Sequence, residues 1–79
     1  MDKIEFERTY GDVLPKRFWY GYIALQQADD FEDVLNAHTE LLDCAYSMLK
    51  DKDINCVEYH EIYKYVNSVY CEKLHQFFK

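Results

Sequence analysis

A chain of 79 residues with 49% hydrophobic residues and nine Lys and Arg against fifteen Asp and Glu, a net charge of −6, has the composition of a folded domain and not of a disordered segment. At this length only about 60–65% of the unfolded surface is buried on folding, so one core and one domain, residues 1–79, are expected. The acidic balance argues against direct contact with nucleic acid, whose phosphates are met by Lys and Arg, and two Gly with one Pro leave little for linkers or loop-built sandwiches, so helices are favoured.

The first ten residues read two ways. Ile4, Phe6 and Tyr10 suit a strand alternation, whereas Asp2 with Glu5 suits a capping box and Gly11 a stop; a short helix is the preferred reading. Next, Asp12 is a plausible N-cap and Pro15 suits a first helical turn. Phe18, Trp19, Tyr22, Ile23 and Leu25 then supply the apolar positions of a helix ending near Ala28. Gly21 weakens that helix by about 1 kcal/mol relative to alanine, a cost that makes sense if another backbone approaches there.

The clearest helix begins at Asp29 or Asp30 and runs to about Lys50, with Phe31, Val34, Leu35, His38, Leu41, Leu42, Ala45, Met48 and Leu49 at three-four spacing. Its opposite face carries Asp33, Asn36, Glu40, Asp43 and Ser47. After a short connection, Asn55 and Glu58 form another capping pair, opening a helix that lasts nearly to Lys79. A connection this short makes the last two helices antiparallel neighbours. The apolar arc of the last helix, with Tyr59, Ile62, Tyr63, Val66, Val69, Tyr70, Leu74 and Phe77, covers roughly 140°, wider than one helix partner needs. Lys73 falls inside it, so its stem is expected along the core edge with the ammonium reaching out. The fold class is therefore all-α, a bundle of three to four helices with a long antiparallel C-terminal hairpin.

The motifs that could carry chemistry are weak. Cys56 with His60 and Cys71 with His75 are each one turn apart, a workable zinc spacing, but about 22 Å of helix separates the pairs, so one chain cannot close such a site. Asp51, Asp53 and Asn55 match the opening ligands of a calcium loop. That loop then fails, because Cys56 stands where glycine is needed and Ile62 where the bidentate glutamate belongs. Cys71 with His75 lacks a pocket, oxyanion donors and a third partner for nucleophilic catalysis. His38 on an apolar face reads as a hydrogen-bonded histidine at the core edge. No phosphate loop, nucleophile elbow or dinucleotide fingerprint is present. No metal, no cofactor and no enzymatic activity are expected.

Tyrosine is the most distinctive component, eight residues against seven leucines, and it is better suited to contact surfaces than to a small core. On the last helix Tyr65 stands beside Glu58, Glu61 and Glu72, away from Tyr59, Tyr63 and Tyr70, which read as mostly structural. Tyr20 lies off the main stripe of its own helix. These residues, with Asp33, Glu40 and Asp43, are the expected partner-binding set. Tyrosine rings over guanidinium planes and carboxylates against Lys and Arg would suit a protein with a basic surface. The expected function is a small acidic inhibitor from a phage or mobile element, of anti-defence, anti-CRISPR or host-takeover type, that covers or mimics nucleic acid at such a surface. Alternatives are an immunity or antitoxin protein facing a basic toxin, and a homodimer that buries the tyrosine stripe. The longest run without a charged or amide side chain, Phe18 to Leu25, is far short of the about 20 residues that span a bilayer. The acidic N-terminus lacks the basic and apolar character of a leader, and three cysteines fit free thiols in a reducing compartment. The cytoplasm, that of the host if the protein is phage-encoded, is the expected location.

Overall fold

The computed structural model describes residues 2–78, and in them the chain forms four helices: α1 (Lys3–Tyr10), α2 (Lys16–Gln27), α3 (Phe31–Lys50) and α4 (Cys56–Phe77). The all-α bundle expected from composition and periodicity is the observed one. The ambiguous N-terminal segment is helical, with the Asp2 carboxylate accepting from the Glu5 amide at 2.8 Å. Gly11 ends α1 as read. It does so in right-handed geometry, and a Cβ there would lie 2.6 Å from the Glu7 carbonyl oxygen, so no larger residue fits.

Two expected details are corrected. Asp12 does not cap α2: the chain makes a further turn in which the Val13 and Leu14 amides both bond the Tyr10 carbonyl, and extended Pro15 becomes the N-cap. At Gly21 the close neighbour is a side chain and not a backbone, since an added Cβ would meet Leu41 Cδ2 at 3.1 Å. That contact sets the α2–α3 seam. Asp30, of the two candidate aspartates, caps α3 by accepting from the Asp33 amide at 2.8 Å.

The α3–α4 turn explains the antiparallel hairpin. Asp53 N–H bonds the Met48 carbonyl and Lys52 N–H bonds the Leu49 carbonyl, a Schellman closure with Lys52 in the left-handed position (φ 65°) that glycine usually fills. Ile54 then turns into the core, and Asn55 and Glu58 complete a reciprocal capping box at α4. Asp51, Asp53 and Asn55 thus make a helix connection.

The buried face of α3 is Val34, Ala37, Leu41, Cys44, Ala45 and Met48. It is rotated from the expected stripe, leaving Phe31 and Leu35 exposed, because α3 packs between α2 on one side and α4 on the other. His38 sits at the α4 edge as expected, its Nε2 2.8 Å from Asn67 Oδ1 and its ring stacked on Tyr70 at 3.8 Å. Helix α1 joins the bundle through Phe6 and Tyr10, both buried.

Two substitutions in the hairpin turn are expected to act in opposite directions in urea unfolding. Asn55→Ala removes the capping box and lowers stability by about 1 kcal/mol. Lys52→Gly relieves a left-handed backbone and raises stability by up to about 1 kcal/mol, part of the gain being lost to the freer unfolded chain.

Candidate protein-binding surface

Helix α4 presents two different flanks, and the structure assigns them different work. One carries Ile62 and Val66 into the core. The other, where Tyr65, Glu61 and Glu72 lie, faces α1. Tyr65 is half-buried and stacks on Phe6 with ring centroids 4.0 Å apart and planes 12° from parallel. Its hydroxyl lies 2.7 Å from that of Tyr22. The sequence reading placed Tyr65 among solvated glutamates as the leading contact residue; its ring is instead a packing element, because α1 covers this flank.

Two of the neighbouring acids are similarly engaged. Glu61 accepts a hydrogen bond from the buried Tyr10 hydroxyl. The Glu58 carboxylate accepts from the Asn55 amide as half of the capping box. Glu72 lines a cleft of about 430 Å³ between the start of α1 and helices α2 and α4, together with Asp2, Lys3, Tyr22, Tyr65 and Lys73. Lys73 is placed as expected for a core-edge lysine, and its ammonium has a definite target. It donates to the Gln26 carbonyl at 2.6 Å, neutralising one of the free carbonyls and the negative end of the dipole at the α2 C-terminus.

These contacts hold the phenols in their neutral form. Burial, then the Glu61 hydrogen bond and the Glu61 and Glu58 charges, raise the Tyr10 pKa. Burial, then the bond to Tyr65, raises that of Tyr22. Tyr65 is raised by burial first; its bond with Tyr22 pulls the other way, and the charges of Glu7, Glu72 and Asp2 add to the rise.

The remaining expected residues lie elsewhere. Glu40 and Asp43 are exposed on the outer side of α3, beside Arg17 of α2. The Arg17 guanidinium is held above its ordinary pKa first by the neighbouring Cys44 sulfur, with Asp43 and Glu40 adding to the rise. Tyr20 projects from α2 about 60° round the helix from Arg17 and is 69% exposed. Asp33 is exposed at the start of α3, two turns before Glu40. The structure therefore brings Tyr20, Glu40 and Asp43 to one side of the α2–α3 pair, extends that side with Asp33, and separates all four from Tyr65, Glu58, Glu61 and Glu72.

Tyr46 of α3 is also 58% exposed, about 120° round the helix from Glu40 and so apart from this set. Tyr59 and Tyr70 pack against the core as read, while Tyr63 is exposed. Cys44 is buried, Cys56 and Cys71 are exposed, and all three are free thiols. Among the described residues no group of three or more His, Cys, Asp or Glu side chains could hold a metal ion, and no helix is long and apolar enough to cross a membrane.

The raised phenol pKa values fix the sign of an alkaline effect. Each raised group keeps its proton in the folded state after the unfolded chain has begun to lose it near the ordinary value of 10. Their contribution to stability is therefore complete below pH 10 and falls as the pH climbs above it. Urea midpoints measured across pH 9 to 11 are expected to decline above pH 10, and Tyr10→Phe with Tyr22→Phe should flatten that decline.

Comparison of the chain with protein-family models, with curated proteins and with solved structures gave no match.

Proposed function

We propose that this chain is a non-enzymatic binding module that covers a basic surface of another protein with the outer side of α2 and α3. The observation that carries this reading is the division of labour between its acids. On α4, Glu61 accepts from Tyr10 and Glu58 closes the α4 cap, whereas Glu40 and Asp43 stand exposed on α3 with Arg17 as their neighbour and Tyr20 is exposed on α2. A tyrosine ring flanked by carboxylates suits Arg in particular, since the guanidinium stacks on the ring and pairs bidentately with an acid. Such a face also speeds encounter with a cationic target in a salt-dependent way.

The targets that combine a broad basic surface with a function that can be blocked there are proteins that bind nucleic acid. The chain would then act as an inhibitor by covering or mimicking nucleic acid at that surface, in the manner of phage and mobile-element proteins directed at host defence, CRISPR effectors or host machinery. Pairing of this face with a second copy of itself is disfavoured, because it would set Glu40, Asp43 and Asp33 against their own equivalents in a molecule of charge −6.

Affinity capture from a host lysate, repeated with competing DNA and at high salt, tests the proposal. One basic nucleic-acid-binding protein is expected to be retained, and DNA and salt should both release it. Tyr20→Ala with Glu40→Lys and Asp43→Lys should abolish retention while leaving the thermal midpoint nearly unchanged. Tyr65→Ala, by contrast, should lower stability by about 3 kcal/mol through loss of a packed aromatic ring. A partner indifferent to DNA and salt, or one retained by the triple variant, contradicts the reading.

A further inference from the structure

The end of the bundle where α3 begins and α4 finishes carries a pair of exposed aromatic rings in mutual contact. Phe31 is 43% exposed and Phe78 71%, and their rings meet edge to face at 5.7 Å. Leu35, one turn along α3 from Phe31, and Phe77 are also exposed. Around Phe31 stand Asp29, Asp30, Glu32 and Asp33, all exposed. Four carboxylates dominate the local field, because the positive end of α3, about half a charge, is offset by the negative end of α4 arriving beside it. Among the described residues, Lys73 of the last turns of α4 is bonded to the Gln26 carbonyl.

We infer that this end is a docking point for an amphipathic segment of a partner protein, one that seats an apolar side chain on the Phe31–Phe78 pair and sets Lys or Arg on either side against the acids. The charge pattern selects that occupant. A second copy would bring four carboxylates against four, and an anionic lipid surface would be repelled by the same groups. An apolar segment without cations would leave the rim unpaired, and a cationic segment without an apolar residue would leave the aromatic pair in water. The inference rests on the proposed reading of the chain as a binder of basic proteins and adds an apolar anchor to that reading.

Amide resonances of the isotope-labelled protein, followed during addition of three short synthetic peptides, test it. One peptide has Leu and Lys at helical spacing, one has Lys with Gly and Ser at equal charge, and one has Leu and Glu. The Leu–Lys peptide is expected to move Phe31, Leu35 and Phe78. Phe31→Ser with Phe78→Ser should weaken its binding on the order of tenfold, the scale set by removing two partly covered rings. Both rings are substantially exposed, so circular dichroism should show the variant folded; if it does not, Phe78→Ser alone, outside the helix, serves the same comparison. The Lys–Gly–Ser peptide should bind wild type and variant alike, at the α2–α3 side. Unchanged Leu–Lys binding to the variant, equal binding of the Leu–Glu peptide, or movement of the Phe31 and Phe78 resonances with protein concentration alone overturns the inference. If the two basic peptides act only at the α2–α3 side, this inference falls and the proposed function stands. If neither basic peptide binds, both fall.

Discussion

The stack of Phe6 on Tyr65 is the contact on which the arrangement of this small bundle depends. Helix α1 has eight residues, too few to persist by itself in water, and it is anchored through Phe6 and Tyr10. Phe6 is fully buried and meets five rings, those of Tyr10, Phe18, Trp19, Tyr22 and Tyr65, at centroid distances from 4.0 to 6.5 Å. Burial of one such ring contributes about 2–3 kcal/mol, and well-oriented aromatic pairs add about 0.5–1.5 kcal/mol each. In a domain this small those sums are a large fraction of the net stability.

The polar groups at this cluster follow from the packing of the rings. Tyr10, Tyr22 and Tyr65 each carry a hydroxyl into a partly dry environment, and each finds a partner, Glu61 for the first and one another for the other two. Among the described residues the buried Trp19 indole N–H has no hydrogen-bond partner, an arrangement that costs about 1–3 kcal/mol. Its ring makes edge-to-face contacts with Phe6, Phe18 and Tyr22. Ring packing outweighs one unsatisfied donor here. With the α1-facing flank of α4 engaged in this way, the outer side of α2 and α3 is left to carry the proposed recognition.

The helices were legible where a cap and a periodicity agreed. Asp30 before the three-four pattern of α3, Asn55 with Glu58 before α4, and Asp2 with Glu5 at α1 each state a helix start through local chemistry. The Asp12 cap failed because Gly11 to Leu14 prolong the end of α1 by one more turn, a choice that depends on the Tyr10 carbonyl being free to accept two amides. The role of Tyr65 was not legible. Around α4 it lies about 60° from Ile62, outside the arc that packs on α3, and only the presence of α1 on that side turns it from a solvated residue into a half-buried one. The exposure of Tyr20 was legible, since it lies off the apolar stripe of α2 and is 69% exposed. The rotation of the α3 stripe toward Ala37 and Cys44 was hidden for a related reason: small residues gain burial only when two neighbours, here α2 and α4, close on them together.

A double-mutant cycle at Phe6 and Tyr65, read by urea unfolding of Phe6→Leu, Tyr65→Leu and the double variant, tests the stack directly. The structure predicts that the two substitutions are coupled, the double variant being less destabilised than the sum of the single ones by about 0.5–1.5 kcal/mol. Additive losses, or a Tyr65→Leu variant as stable as the wild type, would mean that α1 is not held on α4 by this pair and that Tyr65 is free to serve a partner.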